Sequence, residues 1–140
     1  MEHNPLLAPV VVLVLWSFVM LAWLYATRLP PVFAGKVTYD PNKPASAFHE
    51  QYPPAVRWKS DNYTHLMEQP TLFYAVALTL VFLGAGGGLE VGLAWAYVGL
   101  RIIHSLVQAT VNVVAARFLL FIAGSLVLLA MALRAAYLLF

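Results

Sequence analysis

Four apolar stretches dominate this chain, and the first, from Leu6 to Ala26, carries no charged side chain. At about 1.5 Å per residue, a helix of that length crosses a hydrocarbon layer of roughly 30 Å. In lipid a helix satisfies its backbone amides internally, so such a run is expected to be helical. It follows Glu2 and His3 rather than a basic stretch and is too long for a signal-peptide core, so it reads as a retained span. Only 10% of the chain is charged, against about 25% in an average soluble domain. Mean hydropathy is +0.79. Together these features place the chain among integral, multi-pass membrane proteins, in the inner or plasma membrane if it is bacterial.

The expected architecture is all-α, a four-helix membrane bundle forming a single domain over residues 1–140. Spans are expected over about 6–27, 68–85, 92–115 and 117–139. A proline-rich loop, about 28–54, leads into an extended second helix, in which Pro70 is expected to introduce a kink just after Glu68. Gly84, Gly86, Gly87 and Gly88 mark one turn, and a second is expected near Asn112 to Arg117. Arg28, Lys36, Lys43, Arg57, Lys59 and Arg117 fall on the loop side, against Glu2, Glu90 and Arg134 on the other. The positive-inside rule then puts the loop in the cytosol and both termini on the non-cytosolic side.

The net charge of +2 comes from few groups and argues against nucleic acid as a partner. The absence of cysteine excludes a thiolate, a disulfide or a cysteine-ligated metal supplied by the chain itself. No His-x-x-x-His or Glu-x-x-His pair occurs on one helix, so no metal is expected. Ser105 has no base and orienter at the right spacing for a nucleophile triad. Asn62-Tyr63-Thr64 matches a glycosylation sequon, read as a chance match on a cytosolic surface.

The informative residues lie on the third span. Tyr97, Arg101, His104, Gln108 and Asn112 fall within an arc of about 80° on one helix face. An arginine at that depth costs roughly 2.5–3.5 kcal/mol on insertion scales, so a chain that keeps one uses it. Asp61, His65 and Glu68 share a face of helix two, at a depth comparable with Gln108 and Arg117. Two readings stand. Either Glu68 and Arg101 neutralise each other structurally, or the polar residues form an anion site open to the cytosol. A proton path through the same residues is weaker, because the stripe stops short of the far side.

Four spans, a long first loop, the helix-two segment from Asn62 to Pro70 and Arg101-x-x-His104 resemble the MAPEG family, the membrane-associated proteins in eicosanoid and glutathione metabolism. The resemblance covers essentially the whole chain. It implies a homotrimer that binds glutathione between subunits near the cytosolic side and acts as a transferase or peroxidase on small lipophilic substrates. Glu68 matches the glutamate ending the family's Arg-x-x-x-Asn-x-x-Glu pattern, and Arg101 with His104 match its Arg-x-x-His/Tyr element. Arg117 resembles the arginine that some members place near the thiol. The resemblance therefore assigns a catalytic role to Arg117 and glutathione binding to Glu68, Arg101, His104, His65 and Gln108. Asp61 and His65 stand at the family's helix-two arginine and asparagine positions, and Gln108 stands where several members have tyrosine. These departures motivate an alternative, a non-catalytic accessory or assembly subunit of a larger membrane complex.

Overall fold

A computed structural model describes residues 3–140, so Glu2, counted above in the charge balance, lies outside the described residues. Six helices and no strand occur among the described residues. They are α1 (Leu7–Phe33), α2 (Ala45–His49), α3 (Pro54–Leu66), α4 (Gln69–Phe82), α5 (Gly88–Thr110) and α6 (Val114–Leu139). Three of them, α1, α5 and α6, are long and apolar enough to cross a membrane, with 27, 23 and 26 residues. The 14 residues of α4 extend about 21 Å.

The helix α1 continues beyond Thr27, where a loop was expected, through Pro30 and Pro31 to Phe33. Proline's fixed φ is helical, so the helix passes through the pair, giving up the two bonds that the carbonyls of Ala26 and Thr27 would otherwise accept. The stop comes instead at Gly35, whose φ of +66° is open to glycine. Gly35 N–H donates to Val32 O at 3.0 Å and Lys36 N–H to Pro31 O at 2.9 Å, a Schellman closure. The same closure ends α4, with Gly84 at φ +72° and Ala85 N–H bonded to Leu80 O.

Between α3 and α4 the helix breaks at Met67 and Glu68. Pro70 explains it: the carbonyl of Leu66 would need the amide that proline lacks. The turn after α5 falls at Val111 to Val113, and Asn112 occupies it with φ +51°. Asparagine visits the left-handed region more readily than most side chains. Asn112 therefore leaves the helical stripe on which spacing had placed it.

Asn4 Nδ2 donates to Ala85 O at 2.6 Å, and Arg134 Nε donates to Glu90 Oε1 at 2.7 Å. These bonds gather the start of α1, the α4–α5 turn and the last turns of α6 at one end. The segment 34–53 and the α5–α6 turn lie at the other, the loop end. An apolar core fills the terminal half, where Phe73 stacks on Tyr97 at 4.6 Å among Leu13, Leu80, Val98 and Met131. Outward-facing Phe18, Leu119 and Leu126 are exposed. Lipid tails are as apolar as these side chains, so the core gains van der Waals contact rather than release from water.

Toward the loop end the interior turns polar. α3 packs between α1 and α5 there, and α5 packs most extensively against α6. Arg28 of α1 donates to Ser60 Oγ at 2.7 Å and lies over the rings of Phe48 and Tyr52, at 5.3 and 4.8 Å. Lys59 bonds back to Ala55 O and sits 5.0 Å from the Trp23 ring. Two of the loop-side cations thus fasten α1 to α2 and α3.

Candidate functional site

Arg101 is 1% exposed on α5, among the most buried large side chains described. Its Nη2 donates to His65 O at 3.2 Å, while Nε and Nη1 have no partner. The helix break makes that bond available, since it leaves Gln69 outside the α3 ladder and His65 O holding only the amide of Glu68, at 3.3 Å. No carboxylate lies within ion-pair distance of Arg101 among the described residues. The expected structural pair with Glu68 does not form within the chain. Glu68 turns outward, its side chain 62% exposed, and pairs with His65 Nδ1 at 2.8 Å. The physical reason is local: an i,i+3 partner is adjacent across the break, and pairing there leaves the carboxylate at the surface of the chain rather than buried.

His65, His104 and Phe121 form one face of a cavity. The two imidazoles lie 5.0 Å apart, and Phe121 lies 5.5 Å from His65 and 6.0 Å from the Arg101 guanidinium carbon. Val114, Arg117 and Phe118 complete a space of about 240 Å³. Arg117 Nη1 donates to Asn112 Oδ1 at 2.7 Å, and its Nε is shielded and unpaired. Gln108 is buried one turn from His104, with an unpaired Oε1, and does not line the cavity. The arrangement therefore brings His65, His104 and Arg117 together around one space, with Arg101 behind Phe121. Glu68 stands outside, and Asp61 is drawn away by His49, whose Nε2 lies 3.2 Å from Asp61 Oδ1.

Spacing alone had not picked out four other polar residues here. Asn62, 1% exposed, donates to Ser105 Oγ at 2.7 Å, which makes the sequon asparagine an interior link between α3 and α5. Gln69 donates to Ser125 Oγ at 2.7 Å and accepts from Tyr97 OH at 3.3 Å. Ser105 lies four residues after Arg101 on the same helix, and that i,i+4 relation is the one sequence signal pointing to it.

Chemically, the Arg117 guanidinium, with a free Nε–H donor, lines a partly enclosed, largely apolar space, and the Arg101 guanidinium, with two unpaired nitrogens, lies behind its Phe121 wall. Such donors hold carboxylates and stabilise a developing anion strongly where water is scarce. The fold and site define an integral, multi-pass helical membrane protein with a cationic recess in its loop-end half. The MAPEG family profile matches residues 6–137, nearly the whole chain, and the protein belongs to that family of glutathione and eicosanoid metabolism. Members of the family generally use glutathione. No curated protein and no solved structure matches the chain individually.

Proposed function

We propose that this protein is a glutathione-dependent transferase or peroxidase acting on lipophilic substrates, working as a homotrimer with its sites at subunit interfaces. In this reading α3 and α4 together supply a fourth crossing, completing a four-helix bundle. The loop end faces the cytosol and the termini the other side, in keeping with six cations on the loop side against Arg134. The cavity is open beside α6, where Phe118 is exposed, and a neighbouring subunit would close it.

The observation that carries the reading is the buried Arg101 guanidinium with two of its nitrogens unpartnered. Buried charges are normally paired, and a ligand carboxylate would supply the missing partner. Glutathione, when bound, supplies the thiol that this cysteine-free chain lacks. Arg101 holds a carboxylate, Arg117 sits where it favours the thiolate over the thiol, and Asn112 orients Arg117. Phe118 and Phe121 keep water from the reacting sulfur and present an apolar wall to the second substrate. The protein purified in detergent should bind glutathione and turn over a generic electrophile or a lipid hydroperoxide. No binding at millimolar glutathione, with the trimer intact, would overturn the proposal.

One observation favours a second reading, a non-catalytic accessory subunit of a larger membrane complex. Asp61 stands at the helix-two arginine position of the family and is already engaged by His49. That reading expects stable co-purification with another membrane complex. Recovery of the free homotrimer alone under mild extraction counts against it.

A further inference from the structure

A second recess opens at the loop end, between α2 and α3, with a volume of about 470 Å³. Its walls carry both signs of charge. Arg57 provides the cation, and its Nε is shielded from solvent without a hydrogen-bond partner. Glu50 and Asp61 provide the anions, Asp61 using one oxygen on His49. Trp58 forms an apolar wall and Asn112 the boundary with the Arg117 cavity. Lys59, the other cation within a turn, is unavailable because its ammonium is held by Ala55 O and the Trp23 ring.

A guanidinium and two carboxylates around one recess match a ligand group that is itself a zwitterion. A simple anion such as phosphate would meet Glu50 and Asp61 as like charges, and a simple cation would meet Arg57. A free α-amino-acid head, with ammonium and carboxylate on one carbon, offers each wall its opposite. The two recesses lie on either side of a single 2.7 Å hydrogen bond, Arg117 to Asn112. An extended tripeptide reaches about 10 Å, enough to cross that boundary.

We propose that the recess between α2 and α3 binds the zwitterionic α-amino-acid head of the thiol peptide, with Arg57 on its carboxylate and Asp61 and Glu50 on its ammonium. This rests on the glutathione reading and deepens it. The head occupies the α2–α3 recess, the thiol lies beside Arg117 and the glycyl carboxylate points toward Arg101. The charge reversal at Asp61 then becomes a choice of ligand group rather than a loss of one.

Calorimetric titration of the detergent-solubilised full-length protein tests this, using glutathione and N-acetylglutathione as probes. N-acetylation removes the ammonium charge and leaves both carboxylates and the thiol. Wild type should bind the acetylated peptide at least about tenfold more weakly, the loss of one charge-assisted contact. Arg57→Gln should weaken glutathione by a similar factor, and Asp61→Asn should largely abolish the discrimination between the two peptides. Equal wild-type affinity for both peptides, or Arg57→Gln binding glutathione normally, overturns the proposal and leaves the glutathione reading standing. No glutathione binding by wild type overturns both. The wild-type comparison of the two peptides decides the matter even if a variant fails to fold.

Discussion

Replacing Arg101 with methionine separates a guanidinium kept for a ligand from one kept for the fold. In the chain alone, Arg101 makes one hydrogen bond, to His65 O at 3.2 Å, and no ion pair among the described residues. A bond from a charged donor is worth about 1.5–3 kcal/mol. Against it stands a desolvation penalty of several kcal/mol for a buried ion. Methionine removes both, and its flexible thioether fills an irregular space well. The ligand-free variant should therefore unfold within about 1 kcal/mol of wild type, or above it. The ligand-bound comparison should differ sharply. At a glutathione concentration 100 times Kd, wild type gains about 2.7 kcal/mol by mass action. Truncating one partner of a buried, hydrogen-bonded charge pair costs about 2–5 kcal/mol, so Kd rises roughly thirtyfold or more. At the same concentration the variant should then gain no more than about 0.9 kcal/mol. Thermal unfolding in detergent, with and without glutathione, reads both numbers. The reasoning fails if Arg101→Met loses 3 kcal/mol or more without ligand while keeping the full glutathione-dependent gain. That pattern is expected when a structural ion pair is broken.

How much of this could be read from residue order differs between fold and site. The apolar runs and their lengths made the all-helical, membrane-embedded character legible, and the spacing from Asn62 through His104 carried the family. Where α1 would stop was not legible. Pro30 and Pro31 look like a break, yet the chain passes through them to a glycine closure that depends on bonds across five residues. At Asn112 two expectations competed, since spacing carried the polar stripe onto it while the second turn was expected to begin there, and the structure keeps the turn. At the site, periodicity placed Arg101 and His104 on one face, but it could not choose Arg101's partner. That choice turned on the break at Met67 and Glu68, which swings Glu68 onto His65 and exposes a carbonyl instead. Links such as Asn62 with Ser105 join residues 43 apart, and spacing along one helix does not register them.

Arg117→Gln should lower kcat by about 10²–10³ while leaving glutathione affinity nearly unchanged, a loss of the size seen when an anion-stabilising donor is removed. The ultraviolet absorbance of bound thiolate should disappear with it, and its persistence would assign Arg117 another task. At the terminal end, Arg134→Met should destabilise the protein by about 1.5–3 kcal/mol, because it leaves the buried Glu90 carboxylate without its 2.7 Å donor. Adding Glu90→Gln should recover most of that loss in thermal unfolding, whereas simple additivity of the two changes would mean that the pair does not interact. Asn112 separates turn from site, since it holds a φ of +51° and also accepts from Arg117 at 2.7 Å. Asn112→Gly keeps the turn but frees Arg117, so unfolding should change by less than about 1 kcal/mol while turnover falls. Asn112→Asp keeps the acceptor and should retain turnover, and Asn112→Val forces a β-branched residue into the left-handed region and should lose about 1–2 kcal/mol besides. Turnover in Asn112→Gly equal to wild type would show that Arg117 needs no positioning from this turn, and the order of the three variants would then follow backbone strain alone.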